Sequence, residues 1–145
     1  MPINGTNSSK TSIGNSVDPH RLEEYLLRGK AHCSAGDFSA GLTAFEQAIA
    51  FNSKSCAAHN GRGNALCQLQ RHAEALAAYE RATALNPTYH EAWFNQGQLL
   101  TQMGAYGNAL AAYDQAIRYQ PSPAELQVYL HAREDIWLRK KLIAA

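Results

Sequence analysis

Apolar and polar positions along most of the chain follow the period of amphipathic helices. Leu42, Phe45 and Ile49 share one face of a helix predicted over residues 38–51. An earlier helix is predicted to begin at Asp18-Pro19, because Asp is a preferred N-cap and Pro fits the first helical position, and to run towards Ala35. The same pattern predicts five further helices, at about residues 56–69, 73–85, 90–103, 106–119 and 123–143.

The predicted helices follow a repeat of 34 residues. Gly29, Gly63 and Gly97 keep this interval, and so do the aromatic residues Phe45, Tyr79 and Tyr113. This period is typical of stacked helix pairs, in which each unit buries its apolar face against its neighbours. We predict an all-α stack of three helix-turn-helix repeats and a C-terminal capping helix. The repeats are placed at about residues 22–55, 56–89 and 90–123, and the cap at about 123–143.

Small residues and start signals add detail to this plan. Because helix axes approach closely only where side chains are small, we expect Gly63 to face Ala75 and Gly97 to face Ala109. Phe45, Tyr79 and Tyr113 are predicted to fill the space between successive units. Capping boxes are predicted at Thr88 with Glu91 and at Ser122 with Glu125.

Composition limits the remaining possibilities. Residues 1–17 are rich in Asn, Ser, Thr and Gly, so we expect a disordered polar tail before a folded domain at residues 18–145. The net charge of +1 gives no basic face for nucleic acid. The chain lacks a membrane-spanning apolar run and an apolar signal-peptide core, and it has an odd number of cysteines, 3. We therefore expect a cytoplasmic protein.

Catalytic and metal-binding patterns are not evident. The glycines are periodic and the histidines are scattered, so no nucleophile with its base and no phosphate-binding loop can be assigned. Cys33 and Cys67 occupy equivalent places in neighbouring units, with His32 nearby, which raises the alternative of a metal or redox pair. Their spacing matches no zinc pattern, and we interpret them as structural thiols. We predict no enzyme activity and no cofactor.

The third unit resembles the tetratricopeptide repeat (TPR) family. It departs from the family pattern at Gln96 and Leu100, and it keeps Trp93, Gly97, Ala109, Tyr113, Ala116 and Pro121. The stretch from Asn86 to Trp93 looks like repeats in bacterial proteins. The resemblance implies a right-handed superhelix whose concave groove binds a partner peptide, so we expect a protein–protein interaction adaptor or scaffold, in the manner of an assembly factor.

The resemblance also implies which residues line the groove. Asn60, Asn64, Asn95 and Gln98 are expected to clasp the main chain of a bound segment, and Leu26 and Phe94 to receive its apolar side chains. The alternative is that the amides are only solvated helix surface. The full predicted set is Leu26, Lys30, Asn60, Asn64, Gln68, Glu91, Phe94, Asn95, Gln98 and Gln102.

Some family members bind acidic chaperone tails with a clamp of lysine, asparagine and arginine. The corresponding positions here hold Leu26, Lys30, Gly61, Glu91 and Asn95. Glu91 would repel the carboxylates of such a tail, so the resemblance does not extend to chaperone-tail binding.

The C-terminal helix offers a different working surface. Residues 136–143 mix apolar bulk with three consecutive cations, Arg139, Lys140 and Lys141. This pattern fits a cap with a solvated basic edge, self-association, or contact with an anionic membrane, for which the apolar residues are too few to insert firmly. The alternative function is therefore a structural subunit that docks into a larger complex, or self-associates, through this helix or the convex face.

Overall fold

The computed structural model describes residues 18–119 and 121–145. Within these residues the chain forms seven α-helices and no β-strand. The disordered tail predicted at residues 1–17 lies outside the described residues. The helices are α1 (Pro19–Ser34), α2 (Phe38–Phe51), α3 (Cys56–Gln68), α4 (His72–Leu85), α5 (His90–Gln102), α6 (Tyr106–Arg118) and α7 (Pro123–Ala144).

Helix starts follow the expected capping chemistry at two of three sites. Asp18 Oδ1 accepts a hydrogen bond from the His20 amide at 3.0 Å, and Ser122 and Glu125 form a complete capping box. The prediction for Thr88 was wrong. The amide and hydroxyl of Thr88 both donate to Asn86 Oδ1, at 3.1 and 2.7 Å, which holds Thr88 in the preceding turn while α5 begins at His90.

Each of the three helix pairs is closed by a short turn that contains a left-handed residue. The pairs are α1 with α2, α3 with α4, and α5 with α6. Gly36 and Gly104 have φ of 83° and 77° in the first and third turns, and Gln70 has φ of 60° in the second. A left-handed residue just after a helix lets the chain reverse and ties down the last helical carbonyl groups. We call α1, α3 and α5 the A helices, and α2, α4 and α6 the B helices.

The periodic glycines leave space for aromatic rings. A Cβ atom at Gly63 would lie 2.5 Å from the Tyr79 ring, and one at Gly97 would lie 2.7 Å from the Tyr113 ring. The atoms nearest to such a Cβ atom therefore belong to the two rings, and the facing of Gly63 by Ala75 and of Gly97 by Ala109 stays a prediction. Tyr79 and Tyr113 lie one helical turn after Ala75 and Ala109, and their long side chains reach back to the backbone of the A helix.

The first unit shows both kinds of close contact. Gly41 lies against the carbonyl group of Gly29 and against Cys33 Sγ, so the crossing of α1 and α2 depends on two small residues. The Phe45 ring contacts Gly29 in its own unit and Gly61 in the next, which confirms that this ring fills the space between successive units.

The core continues along the whole stack. One buried cluster includes Phe45, Leu66, Tyr79 and Leu99, and a second includes Leu100, Tyr113 and Ile136 of α7. Leu76 packs against both clusters and joins them. The result is an all-α helical repeat solenoid in which each unit is stabilised by its neighbours. Among the described helices, none has the length and apolar character to cross a membrane.

Candidate functional site

Two adjoining cavities open along the A helices. The first, of about 390 Å³, lies between the C-terminal halves of α1, α3 and α5, and the second, of about 360 Å³, lies between α1, α3 and the start of α5. They share Cys33, Ser34 and Asn64. We call this combined surface the groove. Eight of the ten predicted site residues line it: Lys30, Asn60, Asn64, Gln68, Glu91, Asn95, Gln98 and Gln102.

A chain of hydrogen bonds crosses the groove between the second and third units. Asn95 Nδ2 donates to Asn60 Oδ1 at 3.0 Å, and Asn60 Nδ2 donates to the Tyr89 hydroxyl at 3.4 Å. The Tyr89 hydroxyl in turn donates to Glu91 Oε2 at 3.3 Å. Asn60 is only 6% exposed. Because each end of its amide is bonded inside the protein, Asn60 orders the floor of the groove, and its contact with a ligand stays a prediction.

Asn64 has one end fixed and one end available. Its Oδ1 accepts from the Tyr79 hydroxyl at 2.7 Å, and the residue is exposed. Since the oxygen faces Tyr79, the Nδ2 group is the part of this amide directed to a ligand. Burial raises the pKa of the Tyr79 phenol, so this hydroxyl keeps its proton and its role as donor.

Three glutamines form the accessible rim of the groove. Gln68, Gln98 and Gln102 line the larger cavity and are exposed. Each carries an amide that donates and accepts hydrogen bonds on a long, adaptable side chain. Of the amides predicted to contact a ligand, these three and Asn64 have the geometry to do so.

Leu26 and Phe94 lie outside both cavities. Leu26 is half-buried and packs against the core cluster of the first two units. Phe94, which was expected to receive an apolar side chain of a bound segment, is half-buried within the protein. The Tyr129 ring of α7 stacks on it, with centroids 4.2 Å apart and planes at 21°, and the Tyr113 ring lies 5.6 Å away. The capping helix therefore covers the Phe94 ring, which would otherwise be exposed.

Comparisons with known proteins identify the repeat. One family described as "TPR repeat" matches residues 63–104, and another described as "Tetratricopeptide repeat" matches residues 90–123. The chain is a TPR protein. A search of the curated proteins found no match.

Solved structures agree with this assignment of the TPR fold. The TPR domain of Sgt2 from Aspergillus fumigatus is 21% identical with a TM-score of 0.76, over 85% of this chain and 80% of that one. The TPR2B domain of yeast Sti1, solved in a complex named for pHsp70, is 19% identical with a TM-score of 0.77. The match covers 83% of this chain and 98% of that one. The Yersinia enterocolitica type III secretion chaperone SycD, in complex with a peptide of the translocator YopD, is 15% identical with a TM-score of 0.76. The match covers 86% of this chain and 98% of that one.

Tyr89 is the groove residue that sequence reasoning missed in this TPR protein. It lines the smaller cavity beside Lys30 and Glu91, the charged residues at this end of the groove. Burial, then the nearby Glu91 carboxylate, raises the pKa of Tyr89 to about 12, so the phenol stays protonated as a donor. Comparison with the preceding repeat could have pointed to Tyr89. The position 34 residues earlier holds Ser55, an ordinary N-cap that accepts a hydrogen bond from the Ala58 amide, whereas Tyr89 is not a usual N-cap residue.

The cysteines of this TPR protein are free thiols. Burial raises the pKa of Cys33 and of Cys67, and Asp37 raises that of Cys33 further. Cys67 Sγ lies 3.6 Å from the Tyr79 hydroxyl oxygen, whose proton is donated to Asn64 Oδ1. Across residues 18–119 and 121–145, no three His, Cys, Asp or Glu side chains are grouped so that they could hold a metal ion.

Proposed function

We propose that this TPR protein is a non-catalytic adaptor that binds an extended segment of a partner protein in the groove. The observation that carries the proposal is the line of amide groups along α3 and α5, where Asn64, Gln68, Gln98 and Gln102 face two adjoining cavities. An extended peptide has unpaired main-chain donors and acceptors, and amide side chains can pair with both.

The floor and the rim of the groove have different roles in this proposal. Asn60, Asn95 and Tyr89 form an ordered floor, because their polar groups are bonded to one another. The glutamines of the rim adjust to the bound main chain. A pre-ordered floor lowers the entropy that is lost on binding, so a neutral groove of this size can hold a short segment without a large apolar anchor.

Lys30 and Glu91 set the charge preference of the smaller cavity. A ligand side chain of either charge meets one attractive and one repulsive group there. The C-terminal carboxylate of a chaperone tail would lie near Glu91, so we propose a partner other than such tails. Sti1 and SycD were solved with a bound partner or peptide, and those structures support a peptide-binding role for the same fold here. We further propose that the protein works in the cytoplasm as an assembly factor.

The proposal is tested with short peptides selected from a random display library on the wild-type protein. Dissociation constants are then measured by fluorescence anisotropy for the wild type and for the variant Gln68→Ala, Gln98→Ala, Gln102→Ala. Each lost amide contact is worth about 1 kcal/mol, so binding of selected peptides should weaken by about tenfold or more.

A matched control removes three amides from the B helices. The variant Gln47→Ala, Asn108→Ala, Gln115→Ala changes the same kinds of side chain on α2 and α6, outside the cavities of the groove. It should bind the selected peptides like the wild type. Equal binding by the wild type and the rim variant, or an equal loss in the control, would exclude the groove as the binding surface.

A second candidate function rests on the exposed apolar residues of α7. Leu138, Leu142 and Ile143 are exposed together with Trp137, as expected for a structural subunit that docks through its last helix. In that case selected peptides would bind α7, and the rim variant would retain them.

A further inference from the structure

One face of α7 occupies the repeat positions at which an A helix contacts its B helix, but no helix within residues 18–119 and 121–145 packs on it. Moving 34 residues along the chain from Trp93, Gln96, Gly97 and Leu100 leads to Gln127, Leu130, His131 and Glu134. In α5 these positions face α6, where Gly97 contacts the Tyr113 ring. In α7 they line an open cavity of about 550 Å³ together with Arg133 and Trp137.

The open face is accessible and carries large apolar side chains among polar ones. Leu130, Trp137 and Leu138 are 41%, 45% and 47% exposed. A second small cavity continues the surface past Trp137 towards Leu110, Lys141 and Ala144. Within residues 18–119 and 121–145 no helix covers this surface, and large apolar side chains exposed together on one face are a feature of contact sites.

The charged residues on this face can pair with those of an identical face. Glu134 and Lys141 are seven residues apart, which is about two helical turns, so they lie on the same side of α7. They flank Trp137 and Leu138 at equal distances along the helix. Neither side chain forms an ion pair in the part of the chain that the structure describes, where Arg133 pairs with Asp114 and Arg139 with Asp135.

We propose that this face binds the same face of a second copy of the chain, with the two α7 helices antiparallel. A two-fold axis between Trp137 and Leu138 places Glu134 opposite Lys141 of the second copy, twice, because the contact is isologous. The same axis places Trp137 opposite Leu138 and His131 opposite the small Ala144. Apolar pairs thus occupy the centre and opposite charges flank them.

His131 is compatible with this contact. The glycine at the equivalent place in the A helices permits a close helix crossing, whereas a histidine requires the ordinary interaxial distance of about 8 to 10 Å. An anionic membrane fits less well than a second copy, because Glu134 lies among the apolar residues and would be repelled by the lipid head groups.

Sedimentation equilibrium tests the proposal. The wild type should shift with concentration from the monomer mass of 15.9 kDa towards twice that mass. Glu134→Lys alone and Lys141→Glu alone each place like charges opposite one another, so each should raise the dissociation constant by about tenfold. The double variant Glu134→Lys, Lys141→Glu restores opposite charges and should dimerise like the wild type.

Circular dichroism of the same variants controls for folding, since both positions are exposed and should leave the helix content unchanged. A wild type that stays at the monomer mass over the accessible concentration range overturns the proposal. So does a double variant that stays monomeric at concentrations where the wild type dimerises. Flotation of monomeric protein with phosphatidylserine vesicles, reduced by Lys141→Glu, would likewise replace the dimer with a membrane contact.

Discussion

At the scale of single residues, Gln70 occupies a turn position that glycine holds in the other two helix pairs. Its φ of 60° is in the left-handed region, where a side chain costs about 1 kcal/mol. Gln70→Gly should therefore raise the free energy of unfolding by about 1 kcal/mol, measured by urea denaturation. The reverse exchange in the third turn, Gly104→Gln, should lower it by a similar amount. A loss of stability in Gln70→Gly, or a gain in Gly104→Gln, would contradict this account of the turns.

Gly63 shows how closely the rings approach the A helices. A methyl group there would lie 2.5 Å from the Tyr79 ring, which is too close, so Gly63→Ala should destabilise the fold by about 1 to 3 kcal/mol despite the better helix propensity of alanine. Gly107 is the matched control. It is exposed in α6 with only Lys140 Nζ nearby, at 3.7 Å, and Gly107→Ala should be neutral or stabilise by about 0.5 kcal/mol in the same urea experiment.

Prediction from the sequence worked unevenly at this scale. The exact repeat identified Gly97 and Tyr113 as packing positions of the third unit, but it did not show that the Tyr113 ring contacts Gly97. It could not show that Asn95 bonds to Asn60, because that contact joins two units and depends on how the units are rotated against one another. The burial of Phe94 likewise depends on Tyr129, which lies in another helix.

At the scale of helices, the bounds predicted from turn residues and apolar spacing agree with the observed bounds within one residue. The α2 bounds are the same, and α7 extends one residue beyond the predicted end. The agreement has a physical cause. The two helices of each pair are separated by only three residues, and these include a left-handed turn residue or a cap. The start of α5 was also placed correctly, at His90, and only its capping residues were wrong, because Asn86 and Thr88 bond to each other before the helix begins.

The α7 helix stabilises the third unit through Tyr129. This residue is 4% exposed, stacks on Phe94 and hydrogen-bonds to His90 Nδ1 at 3.0 Å. Tyr129→Ala should lower the free energy of unfolding by about 3 kcal/mol, whereas Tyr129→Phe keeps the ring and should cost only about 1 kcal/mol. Thermal denaturation followed by circular dichroism separates the two values, and equal losses would show that the hydrogen bond rather than the stacking matters.

At the scale of the whole molecule, tyrosines packed into several units should make the protein less stable at alkaline pH. Burial raises the pKa of Tyr89 and of Tyr129 to about 12, and raises those of Tyr79 and Tyr113 as well. The usual value of about 10 applies to the unfolded chain, so the folded protein holds these protons more tightly. Their contribution to stability is complete below about pH 10 and is lost as the pH rises through about 12.

The expected result is unfolding between about pH 10 and 12, with part of the phenolate absorbance appearing only as the helix signal is lost. Tyr89→Phe should make the pH dependence of stability in this range less steep. Full phenolate absorbance from protein that is still helical would contradict the assignment of these buried phenols.

The bonded pair of Asn60 and Asn95 has a consequence for protein engineering. Because the floor of the groove is held by the bonds from Asn95 to Asn60 and from Asn60 to Tyr89, its order does not depend on Gln68, Gln98 or Gln102. A combinatorial library that varies these three positions would change the chemistry presented to a ligand and leave the solenoid intact. New recognition specificities could then be selected from one fold, with positions 60 and 95 held constant.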